Sequence, residues 1–534
     1  MKRNLTQLAQ KTYDIAIVGG GIYGACLAWE ATLRGLSVAL LEKGDFGGAT
    51  SANSLKIIHG GLRYLQNADF KRMRESIRER TNLLRIAPHL VHPLPILLPT
   101  YGRGLKSKAV FEVALGLNDL ISCDRNYQID PSKQIPRGRT ISKQACLELL
   151  PNITQQGLTG GAIFTDAQVY NSERLTLAFI RSAVERGAVV ANYVEVTGLL
   201  QSENQVMGVT AQDGLGNQKL EVRASTVLNA TGAWGNQIQD LGQDLAKAMN
   251  FVLRRPLFEK SHEYAVGINS KSPDRKSRML FVAPWRKTSI VGTYYSTCDR
   301  NPQSWPITES EIDKFLAQIN SAYPSAQLTR ADIAFVHQGV LPRKGINPQG
   351  EPTLNKHYRI TNHAKAGLNG LFSVTGVKYT TARDVAQKTL DLVLQTWQKK
   401  ASASISATTP VYGGDISDWA GFLQEAQQKT GFPSEIITSL VFNYGSAYPD
   451  VLSYLDIDDP KDKIDLEKAI LKAQILYAIE QEMAQNLSDI LLRRTELASA
   501  GSLTKEVLTF CTEVMGKQLG WNSDRIKAEL QANQ

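Results

Sequence analysis

Gly19, Gly21 and Gly24 form a G-x-G-x-x-G run directly after the apolar stretch Tyr13-Asp14-Ile15-Ala16-Ile17-Val18. Glycines at this spacing suit a dinucleotide: the first permits a tight turn and the second lets backbone approach a pyrophosphate. The third lets the next helix pack closely, and that helix's N-terminus favours the anion. Glu42 lies 18 residues beyond Gly24, where a carboxylate can accept hydrogen bonds from ribose hydroxyls. A glycine-rich turn in an unrelated α/β protein is the bland alternative, and the surrounding pattern argues against it. A second group of residues suits acid–base and anion chemistry. His59 and His262 are of the type that moves protons near neutral pH, and Arg63 presents a planar fork to phosphate or carboxylate.

These residues need elements to position them. The stretch 13–18 reads as a buried parallel strand, 25–34 as a helix closed by Gly35, and 36–41 as a second strand. Residues 187–200, 206–211 and 220–224 read as a meander, followed by a strand ending in Ala230-Thr231-Gly232. Glycine fingerprint, acid, late meander and closing strand together indicate a two-dinucleotide-type FAD-binding domain rather than a nicotinamide dehydrogenase. From about Arg254 to Arg343 the pattern alternates like an antiparallel sheet, with 281–285 and 288–293 as a hairpin suited to covering a substrate. Gly370 to Gly376 is another strand entering a glycine turn, before a helix running to about Lys399. Residues 402–409, rich in Ser, Ala and Thr and followed by Pro410, read as a linker. The remainder reads as helical, notably 464–496.

The fold class is therefore α/β: the FAD-binding domain, an antiparallel-sheet substrate domain and a C-terminal all-helical domain. Boundaries are expected at 1–100, 156–240 and 356–400 for the three parts of the FAD-binding domain. Residues 101–155 form a substrate- or membrane-facing insertion, 241–355 the substrate-covering domain and 411–534 the helical domain.

Charge and cysteine content narrow the partners. The 534 residues carry a net +9, divided unevenly. Residues 406–534 hold 11 Lys and Arg against 19 Asp and Glu, a net of −8, leaving +17 on the preceding 405. So positive a body suits an anionic substrate, an anionic cofactor or an acidic membrane surface. No recognised nucleic-acid motif accompanies it, so no nucleic acid is expected. Five scattered cysteines without a CxxC pair imply neither a disulfide framework nor a metal, and fit a reducing interior. No stretch has the length of a membrane-spanning helix and the N-terminus lacks a secretory apolar core, so a cytoplasmic location is expected.

The run Ser54-Leu55-Lys56-Ile57-Ile58-His59-Gly60-Gly61-Leu62-Arg63-Tyr64-Leu65 resembles the segment after the FAD fingerprint in FAD-dependent glycerol-3-phosphate dehydrogenases. The resemblance continues through Asp166-Ala167, Asn229 to Trp234, Lys260-Ser261-His262, Phe281 to Gly292, Gly376 to Arg383, and Asp489 to Thr495. It implies oxidation of sn-glycerol 3-phosphate to dihydroxyacetone phosphate by hydride transfer to flavin N5, with quinone reoxidising the flavin. Its residue-by-residue implications are His59 as proton acceptor, Lys378 beside flavin and substrate, and His262 as a weaker catalytic candidate. Arg63 and Tyr64 would bind the phosphate. Alongside the fingerprint glycines and Glu42, the resemblance assigns Thr50, Ser51, Ser54, Val196, Thr231, Gly232, Gly376, Thr380 and Thr381 to FAD. It also implies peripheral attachment to the inner face of a membrane and admits a homodimer. Arg103, Lys106 and Lys108 before the apolar run 109–117 would serve that attachment, although an ordinary amphipathic surface helix reads the same way.

Structural readings compete at several positions. Histidines commonly serve as hydrogen-bonders, and His89 and His92 are read so. Lys56 reads as solvated, and Arg493-Arg494 as a salt-bridged helix end against the acidic tail. Two departures bear on the substrate. Relatives write Gly-Val-Arg-Pro where this chain has Gly339-Val340-Leu341-Pro342-Arg343, so Arg343, two positions along a strand, would have to reach the same cavity. Relatives also write Gly-Thr-Thr-Asp where this chain has Gly292-Thr293-Tyr294-Tyr295. A different polyol phosphate, a 2-hydroxy acid or an amino acid is therefore an alternative substrate, and a flavin-binding protein without turnover a third reading.

Overall fold

A computed structural model describes residues 1–102, 104, 107–270, 278–300, 306–348, 350–355, 357–400, 402–456, 463–495, 497–501 and 503–533. Its first layer is an eight-stranded sheet. The apolar strand Thr12–Val18 lies at its centre, parallel to Lys219–Asn229 on one side and to Val38–Leu41 on the other. Val189–Ala191 continues the sheet beyond Val38–Leu41, and Leu371–Thr375 lies beyond Lys219–Asn229. Strands buried on both faces need unbroken apolar runs, which 15–18 and 38–41 supply. The helices Ile22–Leu33, Ser172–Glu185 and Ala382–Thr396 pack on one face through Ala25, Ala28, Phe179 and Val385. The meander Val194–Ser202, Gln205–Asp213 and Lys219–Asn229 joins the same sheet.

A second, ten-stranded and mostly antiparallel sheet covers the first domain. The hairpin Arg278–Trp285 and Thr288–Cys298 lies near its middle, with Asp244–Leu253 and Ile333–Ile346 beside it. Val91–Tyr101 and Leu158–Val169 also pair into this sheet. The chain therefore first pairs into the second sheet at Ile57–Ile58, returns to it at Val91 and leaves it near 169, so this sheet draws on the segments 1–100 and 156–240 assigned to the FAD-binding domain. Pro93 and Pro95 alternate along the strand Val91–Tyr101 with Leu94 and Ile96, whose side chains fill a core.

Among the described residues, the regular elements of the tail from Trp419 to Ala532 are all helical. The expected 464–496 helix ends at Glu482, and a π-helical turn, Ile490–Arg494, follows a break; Glu496 lies outside the described residues. The 402–409 segment is packed rather than a free linker. Ser404 Oγ donates to Glu30 at 2.9 Å, and Ser406 Oγ accepts from Arg383 at 2.9 Å. Lys56 is buried and donates to Glu173 at 2.8 Å, so the solvated reading fails there. His89 is buried, and His92 stacks on Phe442 of the helical domain at 4.4 Å, in keeping with structural roles.

Candidate active site

The first turn is shaped by contacts that exclude side chains. A Cβ on Gly24 would lie 1.8 Å from the Gly19 carbonyl oxygen, and one on Gly19 would lie 2.8 Å from that of Ala230. Gly21 opens the helix Ile22–Leu33 with no side-chain cap, and a Cβ there would meet only Ser51 Oγ, at 3.1 Å. That leaves a helix N-terminus facing a space reachable by an anion. Ser51 Oγ accepts from Ile22 N at 3.0 Å. The Glu42 carboxylate accepts from Gly20 N at 2.6 Å and Gly44 N at 2.8 Å. Burial pushes the Glu42 carboxyl up, while those two donors pull it back toward the ionised form. These groups fit the pyrophosphate and ribose of FAD.

The same cradle reaches the second glycine turn. Tyr23, on the first helix, donates to the Lys378 carbonyl at 3.1 Å and packs against Gly376, where a Cβ would stand 2.2 Å from the phenol oxygen. Thr380 and Thr381 are buried at the start of the Ala382–Thr396 helix. Thr231 donates to Asn229 at 2.7 Å, Gly232 has φ +58°, and Val196 sits half-buried opposite Ala211. Like Ser51 and Thr231, two further cofactor candidates engage their hydroxyls with the protein. Thr50 Oγ donates to the Val340 carbonyl at 2.9 Å and accepts from Val340 N at 3.0 Å, tying the loop to the second sheet. Ser54 Oγ accepts from Lys56 N at 3.1 Å.

A polar cluster forms where the two sheets face each other. His59 is half-exposed, its Nδ1 3.2 Å from Asp166, which also accepts from Gly60 N at 2.8 Å and Arg80 at 2.8 Å. Burial raises the Asp166 carboxyl, but the His59 hydrogen bond and the Arg80 charge outweigh it and hold it below the usual carboxylate range. An ionised Asp166 favours the His59 tautomer that carries its proton on Nδ1. Gly60 is required here, because a Cβ would lie 2.2 Å from an Arg80 nitrogen. The left-handed Gly61 (φ +87°) then turns the chain into Leu62–Asn67, which presents Arg63 and Tyr64. The buried Tyr64 ring carries Lys378 Nζ at 4.6 Å and the Arg63 guanidinium at 5.6 Å. Neither cation has a carboxylate partner among the described residues, an arrangement suited to an incoming dianion.

Arg63, Tyr64 and Lys378 are thus brought together a few residues along the chain from the His59–Asp166 pair, whereas His262 and Arg343 lie elsewhere. His262 is exposed and its Nδ1 is 3.1 Å from the Glu259 carbonyl. It lines a separate cavity of about 310 Å³ with Val282 and Pro284, while Phe281, which projects to the other side of the strand, is the residue that meets His59. Arg343 lies directly across from Asp244 in the strand register. Its guanidinium is held by that carboxylate at 3.5 Å and by the Leu245 carbonyl at 3.0 Å. Tyr294 packs against Phe315 in the second core, which accounts for one of the two aromatic departures. Asp166 and Arg80 escaped the sequence reading as site residues, since nothing local links them to His59.

Comparison with known proteins identifies the family and the fold. Residues 14–383 match the family model described as FAD dependent oxidoreductase, and residues 404–526 match the C-terminal domain of alpha-glycerophosphate oxidase. A glycerol-3-phosphate dehydrogenase of Synechocystis sp. is 31% identical over 99% of this chain and 97% of its own. The human mitochondrial glycerol-3-phosphate dehydrogenase is 29% identical over 99% of this chain and 73% of its own. The solved structure of the glycerol-3-phosphate dehydrogenase from Bacillus halodurans, complexed with FAD, superposes with a TM-score of 0.77 at 26% identity, covering 99% of this chain and 95% of that one.

Proposed function

The chain belongs to the FAD-dependent glycerol-3-phosphate dehydrogenase family, and from that premise we propose that it oxidises sn-glycerol 3-phosphate to dihydroxyacetone phosphate and passes the electrons to a quinone. Two observations support this reading: the His59–Asp166 pair, and Arg63 and Lys378 on the Tyr64 ring with no carboxylate partner among the described residues, Lys378 following the glycine turn that Tyr23 packs against. Gly19, Gly21, Gly24, Glu42 and Ser51 hold the adenosine and pyrophosphate end of FAD, with Gly376 to Thr381 at its other end. FAD, once bound, supplies the acceptor for a hydride from C2. Arg63 and Lys378 bind the phosphate and fix C2 in reach, and His59 Nε2 takes the C2 hydroxyl proton while Asp166 stabilises the resulting imidazolium. Arg80 keeps Asp166 ionised throughout.

Quinone is a lipid-phase acceptor, so the same reading places the protein on a membrane surface. No helix among the described residues is long and apolar enough to cross a membrane. The helix Lys108–Ile121, however, exposes Val113 (73%) and Leu120 (71%) along with Val110 and Leu117, a stripe suited to lying in a lipid interface. Arg103 and Lys106, proposed to flank it, lie outside the described residues. Anaerobic titration of the yellow protein with glycerol 3-phosphate tests the activity: the flavin is expected to bleach. Bleaching by dithionite but not by glycerol 3-phosphate would overturn the substrate assignment.

A further inference from the structure

The helical domain meets the cofactor domain where Glu42 leaves its strand. Asp45, three residues on, is buried, and its carboxylate accepts from Arg493 Nε at 2.6 Å and from Arg494 at 2.8 and 2.9 Å. Both arginines belong to the π-helical turn Ile490–Arg494, some 448 residues away in sequence. Asn192 adds a bond to Asp45 at 3.1 Å and a second to the Met483 carbonyl at 2.8 Å. The neighbouring Tyr193 hydroxyl donates to Asp489 at 2.5 Å. Asn192 and Tyr193 lead directly into the strand Val194–Ser202, which carries Val196.

From Asp45 the connection runs on into the cradle. Gly47 N donates to the Gly20 carbonyl at 3.0 Å, and Gly20 N donates to the Glu42 carboxylate at 2.6 Å. Val194 N donates to the Glu42 carbonyl at 2.8 Å, so the two loops that border the ribose and adenine positions are bonded to each other as well. Both loops are anchored on the helical domain by buried groups. The sequence reading of Arg493-Arg494 as a salt-bridged helix end therefore holds, but the principal partner is Asp45 of the cofactor domain, beside Asp489 of the tail itself.

We propose that the C-terminal helical domain is a cofactor clamp, in which Arg493 and Arg494 act through Asp45 as positioning residues that hold the Glu42 loop and the Val196 strand in their FAD-binding form. The proposal rests on FAD occupying the glycine cradle. Two loops ordered in advance spare the ligand the cost of ordering them. Removing one partner from so buried a set leaves a charge uncompensated and frees the loop to move. Linkage adds a requirement: whatever factor the docked domain contributes to FAD affinity, FAD must contribute to domain docking.

Interface packing alone is separable from this role. Arg181 sits at the same domain boundary, against Tyr412, Tyr477 and Glu482, on the Ser172–Glu185 helix rather than on either loop; it shares only Glu482 with Arg494, at 3.5 Å, and has no bond to Asp45. The test uses full-length wild type, Asp45→Asn, the milder Arg493→Lys and the control Arg181→Lys. FAD is removed and rebound, its dissociation constant is read from flavin fluorescence, and thermal unfolding is followed in parallel. Asp45→Asn is expected to weaken FAD binding by about tenfold or more, with Arg493→Lys in the same direction. Arg181→Lys is expected to lower thermal stability while binding FAD as wild type does. FAD is also expected to slow proteolytic release of the helical domain in wild type but not in Asp45→Asn. Unchanged affinity in folded Asp45→Asn or Arg493→Lys, or equal weakening in Arg181→Lys, overturns the clamp while leaving FAD binding intact. A wild type that takes up no FAD overturns the cofactor reading itself.

Discussion

Replacing Asp166 by Asn tests the proton-accepting arrangement without changing its shape. The carboxylate is buried and serves three donors: His59 Nδ1, Gly60 N and an Arg80 guanidinium. An amide offers one acceptor oxygen and no charge. Arg80, itself buried, would then stand beside a neutral group, and removing one side of a buried pair costs about 3–5 kcal/mol. Urea unfolding of the apoprotein should show a loss of that order. The catalytic loss is distinct. Without an ionised partner His59 loses its fixed tautomer and the stabilisation of its protonated form, and a positioned general base contributes about 10²–10⁴-fold in rate. Stopped-flow bleaching of the bound flavin by glycerol 3-phosphate should therefore slow by at least about 10²-fold, with the visible flavin spectrum of the resting protein unchanged. A folded, FAD-loaded Asp166→Asn that bleaches at the wild-type rate would refute the assignment of His59 as proton acceptor.

Arg63→Ala should raise KM for glycerol 3-phosphate by about 10- to 100-fold, the worth of one charge-assisted anion contact, while FAD binding by fluorescence stays the same. Leu341→Arg restores the arginine that relatives carry, and about a tenfold rise in kcat/KM with glycerol 3-phosphate is expected; no rise would mean the cavity has been rebuilt around another residue. Glu311, bonded by Lys247 at 2.8 Å, Ser296 at 2.5 Å and Thr308 N at 2.8 Å, is lowered from 4.5 to about 2, burial opposing and these donors prevailing. Because the folded value is depressed, its contribution to stability is present above pH 4.5 and disappears toward pH 2. The stability gap between wild type and Glu311→Gln in urea should shrink across that window, and a pH-independent gap would contradict it. A double Val113→Glu, Leu120→Glu variant should lose at least about tenfold in sedimentation with anionic vesicles, each exposed side chain being worth about 1.5 kcal/mol or more on insertion.

The glycine turn proposed to cradle the cofactor was legible because everything that shapes it is close in sequence. A strand, three glycines, a helix and an acid follow one another within residues 13–42, and the steric reasons for Gly19 and Gly24 hold in the folded chain. The substrate end was only half legible. His59, Arg63 and Tyr64 lie in one short run, but the carboxylate that orients His59 comes from 107 positions away on another strand. Alternation along a strand gave Arg343 a face but not a partner. The register that sets Asp244 directly opposite it depends on how two distant strands align, and that pairing decides where the guanidinium goes. Composition misled at residues 402–409, where small polar side chains that suggest a loose tether instead bond Glu30 and Arg383.

The uneven charge has a similar lesson. A −8 tail against a +17 body invites a picture of general attraction between domains, and one part of the boundary fits it: Glu482 of the tail pairs with Arg174 and lies near Arg181 of the body. The Asp45 site inverts it, with the cationic pair contributed by the acidic domain. Net charge sums over solvated surface, where Asp and Glu of the tail contribute little to binding energy. A buried site is chosen pair by pair, and there the sign that matters is that of the group already fixed on the other side. Asp45 is fixed by its place beside the Glu42 turn, so the helical domain must answer with arginines regardless of its own balance. It follows that exchanging exposed acidic residues of the tail for neutral ones should leave domain docking nearly unchanged, while a single change at Arg494 should disturb it.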